Sequence, residues 1–384
     1  MPAEPQIKRL SHGRRTLLFW MLVLIFALAL PALIFYTTGH RIAFSDEERT
    51  IVTTGGLYVS TLSRDAEVYI DEDPVPNPRL FRSAFYIQNL PSGQHRLVVQ
   101  EEDAQTWVKE LPVDPHLVTE AAAFNVPLVP QVRPITEFTT IERTPVVFVE
   151  STSSDPYRRA SVTVPYRLAT SSATSTLAVN EEHEFVASLF STTSTSTEGL
   201  VGRLVNEFDR FRFASVAATS SASGSVPKRI VTSGNVSLSP RDGEVYARWE
   251  GDPNRIPYYF CVSSSTASTT AHRYGEHVAE QVSELRASST QPLYAVGTRV
   301  CRPEIRLDRK WQSVRYYHFV PGSSDLVLLQ LSDGAYVVEI DDRAWQNTQL
   351  LYPGEHIAVL VHENSIFVKE DDRYFEIYAT PQDL

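Results

Sequence analysis

The sequence predicts a mainly β protein carried on one N-terminal membrane helix, with a small antiparallel sandwich ahead of a second, larger β region. Three observations lead there. Leu17 to Tyr36 (LLFWMLVLIFALALPALIFY) runs for twenty residues without a charge. Beyond it, short runs rich in Val, Tyr, Phe and Leu alternate apolar and polar residues, the period of a half-buried strand. Towards the C-terminus, two strand–turn–strand segments repeat each other.

The first element follows from length. A hydrocarbon layer about 30 Å thick needs about 20 apolar residues of helix, which the 17–36 segment supplies. Pro31 lies within it, and a proline in a spanning helix kinks rather than breaks it. Trp20 and Tyr36 fall at the two ends, where amphipathic rings suit the headgroup layers. The alternative is a cleaved signal peptide with Ala27 and Ala29 as its small residues. Cleavage there would leave apolar residues continuing to Tyr36, which favours an uncleaved anchor.

Lys8, Arg9, Arg14 and Arg15 all precede the apolar run, so residues 1–16 read as a cytoplasmic tail and everything after Tyr36 as exported. The chain holds 35 basic and 46 acidic residues; the tail takes four and one of these, leaving 31 against 45, a net of −14. An ectodomain this acidic repels phosphate backbones, which argues against nucleic acid and against a polybasic lipid-binding surface.

After a linker at 37–52, residues 53–131 read as a strand meander: GLYVST, EVYIDED, SAFYIQN, QHRLVVQ, WVKELPV and AAFNVPLV, separated by turn formers such as DEDPVPNP and PSG. The strand Gly56 to Ser60, the segment SRDAEVYIDED, then LPSGQHRLVV and Trp107 follow one another in an order that resembles the PEGA domain. That family's Pro-Glu-Gly-Ala signature falls on Ser63, Arg64, Asp65 and Ala66, of which only the alanine is kept. The resemblance implies a small β-sandwich of the kind found in envelope and surface-layer-associated proteins, serving as a binding or structural module without catalysis.

Residues 134–384 form the second region. Its first part mixes strand-like runs with Ser/Thr tracts (STSSDP, TSSATSTLAV, STTSTSTEG, ATSSASGS, and later SSSTASTTAH), which read as surface loops because small hydroxyl residues bury too little apolar surface to offset ordering entropy. GEHVAEQVSELRAS, 275–288, is the ectodomain stretch with helical spacing. VLLQLSDGAYVVEIDDR (327–343) aligns without gaps on IAVLVHENSIFVKEDDR (357–373), thirty positions on, and VSLSPRDGEVYARWEGD is a weaker echo. Such repetition points to radially arranged sheets, and VSLSPRDGEVYARW resembles the blade openings of β-propellers of the TolB and WD40 kind. The resemblance implies a propeller-like domain over 134–384. The thirty-residue spacing is short for a blade, so another all-β arrangement stays open.

Candidate chemistry is sparse. The sequence shows no nucleophile elbow, phosphate loop, zinc helix or calcium hand. The two cysteines, Cys261 and Cys301, lie in strand-like runs and read either as a disulfide in an oxidising compartment or as two buried free thiols. His272, Glu276, His277 and Glu280 have the spacing of a metal site on a helix, but also that of a solvated helix face. Asp333, Asp341, Asp342, Asp371 and Asp372 would gather at one rim if the repeats stacked and could there hold Ca²⁺, or else serve as turn residues paired with Arg343 and Arg373. Trp249, Trp311 and Trp345 are the candidates for a glycan platform, the competing role being packing.

No catalytic, cofactor or metal residue is assigned. The sequence therefore reads as a non-catalytic, single-pass surface protein of the cell membrane, its exported β domains binding an envelope protein or polysaccharide. The alternative is an envelope hydrolase or lyase using carboxylates such as Asp252 or Glu304 at an open face.

Overall fold

The computed structural model describes residues 11–37, 40–44, 49–76, 84–148, 161–162, 167–169, 177–191, 229–263, 294–296 and 299–378. The protein is mainly β, with one N-terminal apolar helix and several small sheets. That helix, His12–Thr37, has 26 residues, about 39 Å at 1.5 Å per residue, and is long and apolar enough to cross a membrane. It starts before the oily stretch because helical hydrogen bonding continues past it: Arg15 donates to the Ser11 carbonyl, and the Thr16 hydroxyl to that of His12. None of its residues is buried against the β body.

Two four-stranded sheets form a sandwich after it. One holds His40–Phe44, Arg49–Thr61, Ala84–Pro91 and Val118–Ala123; the other holds Asp73–Pro74, Glu67–Ile70, Gly93–Gln100 and Trp107–Val113. Residues read as linker thus supply the edge strand His40–Phe44. Leu57, Val59 and Phe85 from the first sheet meet Val68, Ile70, Leu97, Val99, Trp107 and Leu111 from the second in one core. The expectation of a purely antiparallel sandwich needs correction. Val118–Ala123 runs parallel to Arg49–Thr61, because the chain crosses from one sheet to the other at 114–117 without reversing beside its partner. The crossing presses the Asp114 carbonyl against Gly55, where a Cβ would lie 2.2 Å away. Only glycine tolerates that approach.

Further sheets follow along the chain. Val231–Ser233, Val236–Arg241, Glu244–Trp249 and Glu304–Arg306 form one four-stranded antiparallel sheet; Tyr316–Phe319, Leu326–Gln330, Gly334–Glu339 and Thr348–Pro353 form the next. The second is central. Leu328, Ala335, Val337 and Leu351 face the core shared with the sandwich, while Val327, Leu329, Tyr336 and Val338 face the core shared with the 231–306 sheet. Burial on both sides explains why these strands read as nearly continuous apolar runs.

The last sheet joins the start of the region to its end. Ile357–His362, Ser365–Glu370 and Arg373–Tyr378 form a meander that is extended, antiparallel to its last strand, by Gln131–Ile135. The short helix Glu181–Ser191, which the helical spacing at 275–288 did not anticipate, sits on this sheet through Val186, packed with Ile135 and Phe367. Asn180 starts it, its side-chain oxygen accepting from the Glu182 amide. Arg133 ties helix and seam together, donating to Glu182 and, at 2.6 Å, to Glu376.

The repeated segments also find their explanation here. Val236–Trp249 and Leu326–Glu339 supply strands two and three of their sheets, whereas Ile357–Glu370 supplies strands one and two of the last. Thirty residues is therefore a shift within the meander and not the period of a sheet. Among the described residues the sheets close into neither a barrel nor a ring, so the propeller expected from the repeats is not found there.

Candidate functional site

The densest polar constellation lies where the sandwich meets the central sheet. Alternation in WVKELPV places Trp107, Lys109 and Leu111 on one face, turned inward. Lys109 is 0 % exposed. Its Nζ donates to Glu339 Oε1 at 2.7 Å and to the Asp341 carbonyl at 2.6 Å, with Asp341 Oδ2 at 3.5 Å. Glu339 also accepts from the Trp107 indole at 3.1 Å and from the Asn347 amide and side chain, each at 2.7 Å. Arg343 grips Asp341 through Nε and Nη2 and donates to the Glu120 carbonyl at 2.7 Å.

Burial raises the Asp341 carboxyl, but Arg343 and Lys109 outweigh it and hold the group below the usual carboxylate range. For Glu339 burial pushes the carboxyl up against the opposing pull of Lys109. Neutral links extend the junction: Gln105 exchanges two hydrogen bonds with the Leu350 backbone, Gln349 bridges Val126 and Phe124, and the Trp345 indole donates to the Val108 carbonyl. Every charge in this cluster is paired and enclosed. Its arrangement fixes two modules to each other and offers no face to a substrate.

Elsewhere the sequence-predicted residues are dispersed. Cys261 and Cys301 face each other across neighbouring antiparallel strands and form a disulfide. Asp341 is inside the junction, Asp342 pairs with Arg302, and Asp333 accepts from the Tyr336 hydroxyl. Asp371 and Asp372 sit in the exposed turn between Ser365–Glu370 and Arg373–Tyr378. The five aspartates accordingly do not form one rim, and among the described residues no three potential ligands gather to hold a metal. His272, Glu276, His277, Glu280 and the 275–288 helix lie outside the described residues, as do nearly all of the Ser/Thr tracts. Asp252 caps a short 3₁₀ turn by accepting from the Asn254 amide, and Glu304 is tied to Arg241.

The three tryptophans have three different roles. Trp249 is half-buried, its indole donating to the Asp252 carbonyl and Gly251 packed against its ring. Trp345 helps close the module junction. Trp311 stands 98 % exposed.

Trp311 sits in a turn closed by the Gln312 amide donating to the Arg309 carbonyl at 2.9 Å. Arg309 makes a two-pronged contact with Glu244, both bonds 2.8 Å, and Gln312 Oε1 accepts from the Ser332 amide and hydroxyl. Arg309 holds Glu244 below the usual carboxylate range through that hydrogen-bonded pair, against a smaller effect of burial. A depressed folded pKa gives stability that is complete above the unfolded value and lost as pH falls through the folded one. The urea midpoint of wild type should therefore exceed that of Glu244→Gln by a constant margin above about pH 5, shrinking below about pH 4. A margin that widened towards acid would contradict the pairing.

No protein-family model matches the chain, and no curated protein matches its sequence.

Proposed function

We propose that this is a membrane-tethered surface protein whose exported β modules bind or scaffold an envelope component without catalysing a reaction. The observation that carries the reading is the His12–Thr37 helix. Its apolar window has a mean hydropathy of 2.8, yet 0 % of that window is buried inside the protein. A helix that is hydrophobic all round needs an apolar surrounding, and the β body completes its cores without it. The basic tail sets the N-terminus in the cytoplasm and the acidic body outside.

The finer architecture is proposed in the same terms. The 53–131 sandwich is a PEGA-like module, supported by the strand order around VYID and LPSG and by the packing of Trp107. The 134–384 region is propeller-like, supported by successive four-stranded antiparallel sheets over 231–353 and by the seam in which Gln131–Ile135 joins the closing meander, itself flanked in parallel by Ser161–Val162.

Affinity capture tests the binding reading. Full-length protein in detergent micelles, immobilised through the N-terminal tail, is expected to enrich a discrete envelope protein or polysaccharide from solubilised envelope over a control displaying residues 1–40 alone. Identical eluates from both would overturn it.

A further inference from the structure

We infer that Trp311 is a ligand contact, its indole held in water to stack on the pyranose rings of an uncharged or cation-bearing polysaccharide. The inference rests on the proposal that the protein is an anchored binding module, and names its ligand class and one contact.

The first support is the choice of residues. Lys310 (φ +49°) and Trp311 (φ +62°) occupy the two central positions of the turn, both in the left-handed region. Turns with two positive φ values favour Asn, Asp and Gly, whose small or locally bonding side chains tolerate that backbone. The protein follows this rule in the hairpin Val236–Trp249, where Asp242 (φ +54°) and Gly243 (φ +80°) fill the equivalent positions. The turn at Asp71 (φ +49°) and Glu72 (φ +77°) departs from it by one long side chain, and 310–311 departs furthest, placing a long cation and the largest side chain there, strained and in water. Stability does not select that pair; residues strained in this way cluster at sites of binding.

The second support is rigidity. Both flanks of the turn are tied to different strands of the body: Arg309 to Glu244, Gln312 to Ser332 in the hairpin between Leu326–Gln330 and Gly334–Glu339. Lys310 Nζ lies over the Tyr336 ring, 4.7 Å from its centre, and the Lys310 amide donates to Asp308 Oδ1 at 2.9 Å. The indole is consequently presented by a fixed scaffold, with little left to order on binding.

The surroundings identify the ligand. Protein-binding anchors sit inside a ring of apolar contacts that exclude water. Among the described residues from 229 to 378 the exposed large apolar side chains are Ile230, Trp311 and Trp345, of which Trp311 is the most exposed, and its turn is bordered by Asp308, Lys310, Gln312, Ser332 and Asp333. One flat π face among hydrogen-bonding groups matches a sugar ring, whose C–H face carries partial positive charge towards the negative face of the indole while its hydroxyls meet polar neighbours. The net charge of −14 beyond the tail excludes a strongly anionic polymer.

Co-sedimentation tests this, using full-length protein in nanodiscs and protease-digested envelope polysaccharide from the producing cells, with chitin and chitosan as defined probes. Wild type should sediment with at least one, and Trp311→Ala should lose binding at least tenfold, with Trp311→Tyr retaining part of it. Lys310→Asn/Trp311→Gly should lose binding equally while its Tm rises by about 2 °C, since it relieves the turn; that rise separates lost contact from lost fold. Equal sedimentation of wild type and Trp311→Ala would overturn the assignment of the contact while leaving the binding reading intact. Binding only to envelope material that protease destroys would overturn the sugar in favour of a protein. Binding to neither would overturn the binding reading as well.

Discussion

Replacing Lys109 by methionine is expected to destabilise the protein by about 3–5 kcal/mol, the cost of removing one partner from a buried ion pair. Methionine matches the lysine stem in volume, so the loss is electrostatic: Glu339 keeps its negative charge in a site that excludes water. Burial already pushes the Glu339 carboxyl upward, and without Lys109 it rises further. A carboxyl with a raised folded pKa favours the folded state at low pH and loses that advantage as pH rises, so the deficit should grow from about pH 4.3, the unfolded glutamate value, towards neutrality. Adding Glu339→Gln should restore about half the loss by removing the orphaned charge while keeping an acceptor for the Trp107 indole. Urea unfolding of the full chain in nanodiscs, followed by circular dichroism, reads all three. A Lys109→Met protein as stable as wild type would show that the junction does not hold the modules together.

The second large effect belongs to the disulfide. Cys261 and Cys301 are 40 residues apart, and freeing a loop of that length costs about 4 kcal/mol in the chain-entropy account. Cys261→Ser/Cys301→Ser should therefore unfold at markedly lower urea than wild type, and reductant should bring wild type to the same midpoint. The same pair reports on compartment. Alkylation of intact cells before lysis should leave both sulfurs unlabelled until reductant is added, because a disulfide persists only where the surroundings oxidise. Ready labelling of both without reductant would contradict the bridge.

Much of the fold is legible in the sequence because short strands with alternating side chains leave a strong period-two trace. WVKELPV shows how far that trace reaches and where it stops. Its alternation places Lys109 beside Trp107 and Leu111 on the inward face, but the partners Glu339, Asp341 and Asn347 come more than two hundred residues later, and no local pattern pairs them. The parallel strand Val118–Ala123 was hidden for a similar reason, since strand direction depends on which sheet the chain re-enters. The repeat at 327–343 and 357–373 was visible as a sequence, while its one-strand shift within successive meanders appears only in the pairing. The helix Glu181–Ser191 carried an N-terminal signal, Asn180 followed by Glu181, Glu182 and Glu184, but its buried face reduces to Val186. For Trp311 the sequence supplied the residue, and the backbone supplied its meaning: φ values and tethers separate it from Trp249 and Trp345, which their neighbours partly cover.

The central claim is that the oily N-terminal helix lies in a bilayer and the acidic sheets lie beyond it. Protease shaving of intact cells, with the chain tagged at its N-terminus, tests this most directly. The account predicts that the full-length protein fractionates with membranes and resists alkaline carbonate, and that added protease removes the β body while a short tagged stub survives. Recovery of the intact chain from the soluble cytosol, or a β body untouched by protease until the cells are broken, would contradict it.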